Sequence, residues 1–162
     1  VELFSSFETF IPWIALALLG YIGGKMLVDG IKGEEAEEAT ESNAELFDVM
    51  REALGEKVER VVVSTRLTDA PAVVTSEGGV SLAMVQVLKS QPGAEGLPDL
   101  HLVLEMNAKH PVFEALRAAH EAGDADKVGT YAGILFDQAL LVEGVMPDNP
   151  LAFAQAVSEL MK

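Results

Sequence analysis

Residues Asp126 to Gly144 constrain this chain most, because they form a helix-length run that is apolar on most of its circumference. On a helical wheel Val128, Tyr131, Ala132, Leu135, Ala139 and Val142 share one face. Ile134 and Leu141 widen that face on one flank, and Phe136 with Leu140 on the other. Thr130 and Asp137 alone interrupt the far side. A helix of this kind needs cover from two directions. Its own domain is one, and a second copy of the chain is the natural other; a monomeric core satisfies the same pattern. The next helix opens at Asn149-Pro150 and sets Phe153, Val157, Leu160 and Met161 opposite Gln155, Ser158 and Glu159. Burying such side chains is worth about 1.5 to 3 kcal/mol each, enough over two helices per copy to offset the cost of association.

The rest of residues 45–162 alternates between helical and strand-like patterns. Leu46, Phe47, Val49, Met50 and Leu54 fall near helical spacing, with Gly55 where a helix stops. Val58 to Leu67 is rich in β-branched residues and reads as a strand, and Asp69-Ala70-Pro71 as a turn. Val73 to Thr75 makes a short strand, Ser81 to Ser90 a helix closed by Pro92-Gly93, and Leu100 to Glu105 a third strand. Pro111 suits the first turn of a helix ending near Gly123. The pattern predicts an α+β fold, a small mixed sheet of about three strands with five or so helices.

Two zones precede this domain. Residues 34–44 carry Glu34, Glu35, Glu37, Glu38 and Glu41 and read as a solvated acidic linker or a frayed helix. Residues 1–33 form one long apolar helix, with an apolar run from Phe10 to Gly24 that resumes at Met26, Leu27 and Val28. Residues 10–28 are long enough to cross a bilayer, with Lys25 snorkelling to the near interface. Lys25 and Lys32 favour a cytoplasmic carboxyl end. The rival is an apolar helix packed on the domain. Glu2 and Glu8 in place of basic residues argue against a signal peptide.

Several chemistries find no footing. A formal charge of −15 argues against nucleic acid as a partner. There is no cysteine, and His101, His110 and His120 are not spaced to share a helical face, so no metal site is expected. Arg66 and Asp69 flank a proline turn without a nucleophile, and Glu105 and Asn107 lack a third partner. No catalytic residue and no cofactor are expected.

Four stretches, in order and suitably spaced, carry a family resemblance: Arg66 to Val74 (RLTDAPAVV), Leu104 to Pro111 (LEMNAKHP), Phe136 to Gly144 (FDQALLVEG) and Asp148 to Phe153 (DNPLAF). Together they make residues 45–162 similar to the carboxy-terminal dimerisation domain of the heat-shock protein 90 chaperones, in their bacterial form HtpG. The resemblance implies a cytoplasmic homodimer paired through the last two helices, with Val128, Tyr131, Leu135, Ala139, Val142, Phe153, Val157, Leu160 and Met161 at the interface. It also implies that the helix from Val80 to Ser90 presents Val80, Met84, Val87 and Leu88 to unfolded client proteins. Leu82 and Val85 project from its other side, and packing of that helix into the domain is the alternative. The nucleotide-binding part of that family has no counterpart here, so ATP hydrolysis is not expected of these residues.

Phe7 to Trp13 (FETFIPW) followed by Leu19 to Ile31 (LGYIGGKMLVDGI) resembles one transmembrane helix of the MntP manganese efflux pumps, with Lys25 where that family more often has Arg. The chain thus reads as a junction of two families, a chaperone domain tethered on the cytoplasmic side of a membrane. The alternative function is part of a manganese transport protein with a chaperone-like appendage.

Overall fold

The computed structural model describes residues 2–76, 82–89 and 101–161, with side chains except at 2–11, 85, 86, 88 and 89. It divides into two compact units, Val1–Glu35 and Ala36–Lys162. Helix α1 runs Glu2–Ser42, so the acidic stretch takes the helical form of its two expected forms. Glu34, Glu35, Glu37, Glu38 and Glu41 are exposed. Ala36, Ala39, Thr40 and Asn43 recur at helical spacing and are half-buried.

In the larger unit, α2 (Ala44–Leu54) buries Leu46, Phe47, Met50 and Leu54, the face its spacing predicts, and a 3-10 turn follows at Gly55–Lys57. Strands β1 (Arg60–Val63), β2 (Ala72–Ser76) and β3 (Leu102–Met106) form a sheet in the order β1-β3-β2. β1 lies parallel to β3, and β2 antiparallel. The remaining helices are α3 (Leu82–Lys89), α4 (Pro111–Glu121), α5 (Ala125–Val142) and α6 (Pro150–Leu160). The fold is α+β with a three-stranded mixed sheet and a long apolar amino-terminal helix, as expected. The first strand is shorter than Val58 to Leu67, because the chain leaves the ladder after Ser64 N–H donates to Met106 O and bends toward Pro71. The Pro92-Gly93 turn falls outside the described residues.

Alternation along the strands sets the core. Val61, Val74, Leu104 and Met106 are buried, with α2 packed on β1 and α5 on β2, and α4 against α5 and α2. Gly129 lets α5 approach α2 closely, since a Cβ there would stand 3.2 Å from the Ala53 Cβ. α5 ends where Gly144 takes φ +78°, with Gly144 N–H donating to Leu141 O and Val145 N–H to Leu140 O. Leu140 and Val145 are both buried, so this turn fixes the direction in which the chain enters α6.

Candidate self-association and client-contact surfaces

α6 is anchored at its start by Asn149, whose Oδ1 accepts Ala152 N–H at 3.0 Å, and Pro150 occupies the first turn. It packs on α5, yet none of its residues is buried. Phe153, Ala156 and Val157 are half-buried along one side, while Leu151, Leu160 and Met161 are exposed, Met161 by 81%. At the carboxyl end of α5, Leu141 is exposed and Val142 is exposed by 69%, and Met146 in the turn equally so.

The nine expected interface residues therefore divide. Val128, Leu135 and Ala139 lie inside the protomer's own core with at most 3% exposure, on a helix that packs against β2 and α2. Tyr131, Phe153 and Val157 are half-buried, Tyr131 with Lys127 Nζ 5.9 Å from its ring centre. Val142, Leu160 and Met161 are exposed. Met146 and Leu151 join them on the surface though sequence reasoning missed them. Met146 lies in the turn between α5 and α6, where no helical period exists to register an apolar residue, and Leu151 is the second residue of α6, beside Pro150.

The turn between α5 and α6 is also held by charge. Lys57 Nζ lies 3.2 Å from Asp148 Oδ2 and 5.8 Å from the Phe136 ring centre. Burial lifts the Asp137 carboxyl above its ordinary range; the Lys57 charge pulls against that rise and Asp148 adds to it.

On α3, Leu82 is buried and ties the helix to the core, while Met84 and Val87 are exposed. Val80 falls outside the described residues, and of Leu88 only the backbone is described.

The polar pairs weighed as catalytic candidates hold the loop between β1 and β2. Glu105, on the central strand, accepts Ser64 Oγ–H at 2.8 Å, an Arg66 guanidinium N–H at 2.8 Å and Thr75 Oγ1–H at 3.1 Å. Asn107, 3% exposed, donates Nδ2–H to Thr68 O and Ala70 O at 3.1 and 3.0 Å and accepts Lys109 N–H at 3.0 Å. With both Asn107 Nδ2 hydrogens and both Glu105 oxygens engaged by loop or strand, these side chains brace the loop. The histidines are dispersed. His110 caps α4 by accepting Val112 N–H at Nδ1, and His101 Nδ1 lies 2.9 Å from Glu59 Oε2. Among the described residues no three His, Cys, Asp or Glu are grouped to hold a metal.

Comparison with known proteins places the chain in a family. The family described as Hsp90 protein matches residues 25–162. Chaperone protein HtpG of Clostridium perfringens (strain 13 / Type A) is 42% identical over 134 residues, covering 82% of this chain and 21% of that protein. Chaperone protein HtpG of Clostridium acetobutylicum is 38% identical over 129 residues, 80% of this chain and 20% of that protein. Chaperone protein HtpG of Oceanobacillus iheyensis is 35% identical over 138 residues, 85% of this chain and 22% of that protein. The chain spans about a fifth of the length of the curated relatives it matches. The family match begins at residue 25, within the stretch that resembles an MntP helix. By the extent of that match and the level of identity, the chain belongs to the Hsp90 family.

Proposed function

We propose that residues 45–162 act as the dimerisation and client-contact module of an Hsp90-type chaperone, a binding role rather than an enzymatic one, in the cytoplasm. The observation that carries this reading is α6, an apolar helix without a single buried residue, beside the exposed end of α5. A second copy, meeting the first across a two-fold axis, would cover Leu141, Val142, Met146, Leu151, Leu160 and Met161 with the same residues of its partner. Phe153, Val157 and Tyr131, already half-covered, would lose their remaining exposure. In the same proposal α3 offers Met84 and Val87, with Val80 and Leu88, to unfolded protein. An unbranched, polarizable methionine adapts to varied partners.

The test is a double substitution, Leu160→Glu with Met161→Glu. Both side chains are exposed within the protomer, so the folded signal in circular dichroism should persist while the mass in solution halves. An unchanged mass would contradict the proposed interface.

Residues 10–28 belong to this proposal as a membrane tether, and the residues upstream of 25 as a segment of different ancestry. Manganese transport has less behind it. It draws on the amino-terminal resemblance alone, which leaves Glu8 and Asp29 as isolated oxygen ligands at opposite ends.

A further inference from the structure

We infer that α1 spans a lipid bilayer, in place of lying on its surface or docking on protein, with Lys25 and Lys32 on the cytoplasmic side. The inference rests on the tether reading and specifies its form. Residues 9–24 contain no charged side chain, and Met26, Leu27 and Val28 extend the apolar run past Lys25. Residues 10–28 as helix reach about 28 Å, close to the roughly 30 Å of a bilayer's hydrocarbon core. α1 is continuous through this stretch, and the part from Pro12 onward is long and apolar enough to cross a membrane.

The distribution around the helix decides what can cover it. Trp13, Ile14, Ile22 and Leu16 are spread around the axis at intervals of roughly 60° to 120°. Trp13, Ile14, Leu16, Leu18, Leu19, Tyr21 and Ile22 are all exposed. An interfacial helix needs a polar face for water, and a helix docked in a groove leaves one side wet; this stretch has no such side. Lipid covers every side at once and leaves no backbone group unpaired, because the helix satisfies its own.

Charge sets the direction. Residues 1–24 contain no Lys or Arg, while Lys25 lies in the last turn of the span and Lys32 just beyond it. Basic residues near a span mark its cytoplasmic end. Lys25 sits within one turn of Val28, so its ammonium reaches the headgroups along its own alkyl stem. The carboxylates from Glu34 to Glu41 come after both lysines and stay in water.

The chain has no cysteine, so a single introduced thiol reports its own side of the membrane. The full chain carrying either Ser5→Cys or Ser42→Cys would be expressed in bacteria, and spheroplasts treated with a membrane-impermeant maleimide. The expected result is labelling of Ser5→Cys in intact spheroplasts, labelling of Ser42→Cys only after permeabilisation, and resistance of both to alkaline carbonate. Adding Leu18→Arg should lower the carbonate-resistant fraction severalfold. Membrane-bound protein released by carbonate, or with both thiols on one side, would overturn the span while leaving a tether. Protein found wholly in the soluble fraction would overturn both.

Discussion

Arg66 reaches back from the loop after β1 to place its guanidinium 2.8 Å from Glu105 Oε1 on the central strand. Glu105 holds Ser64 and Thr75 as well, and its side chain is largely covered while that of Arg66 is mostly exposed. Removing the acceptor leaves the part-buried Ser64 and Thr75 hydroxyls without it, whereas removing Arg66 strands no donor that water cannot satisfy. Glu105→Ala should therefore cost about 1 to 3 kcal/mol in urea denaturation, and Arg66→Ala about 0.5 kcal/mol. Equal costs would show that the carboxylate does not organise the loop.

Asp137 gives a pH dependence of defined sign. Burial raises its pKa in the folded chain, so the folded state holds this proton more tightly than the unfolded one. Above the folded pKa the carboxylate is charged in both states and its burial destabilises the fold. That cost fades as pH falls through the folded pKa and is gone below the unfolded one. Asp137→Asn should stabilise the domain near neutral pH, with an advantage over wild type that shrinks on acidification. A difference that does not change with pH would contradict the assignment.

Leu135 and Val142 separate core from surface on one helix. Leu135 is 3% exposed, so Leu135→Ala should cost about 2 to 5 kcal/mol of protomer stability. Val142 is 69% exposed, so Val142→Glu should leave denaturation of the protomer nearly unchanged while weakening self-association at least tenfold. Chemical denaturation below the association range, paired with sedimentation, reads the two effects apart. Loss of protomer stability in Val142→Glu would place that side chain inside the core.

That pair also marks how far the sequence could be read. The apolar spacing of Leu46, Phe47, Met50 and Leu54 was enough for α2, and the β-branched run from Val58 for the first strand, because burial of one face follows directly from period. The wheel put Leu135 and Val142 on one face and was silent on height. They lie two turns apart: Leu135 is buried in the core, and Val142 stands at the last residue of α5. Azimuth is written in residue spacing; where a helix outruns its neighbours depends on how long those neighbours are. Met146 escaped notice for a related reason, since a turn has no period to break. For Arg66, Glu105 and Asn107, the shortage of catalytic companions was enough to expect no catalytic role. Their actual partners, Ser64, Thr75, Thr68 and Ala70, required the tertiary structure.

Client contact predicts a loss confined to one function. Met84→Asn with Val87→Asn alters two exposed side chains on a helix held by Leu82, so fold and mass should persist. Suppression of aggregation of an unfolded test protein should fall severalfold. Undiminished suppression would remove α3 from the client surface.

Sedimentation of the larger unit, residues 36–162, over a range of concentrations bears most directly on the proposed role. A species of twice the protomer mass, dissociating only on dilution, is the expected result, since the exposed apolar ends of α5 and α6 then face one another. A single protomer mass persisting at micromolar concentration and above would mean that α6 stays uncovered in solution, and self-pairing would have to be abandoned.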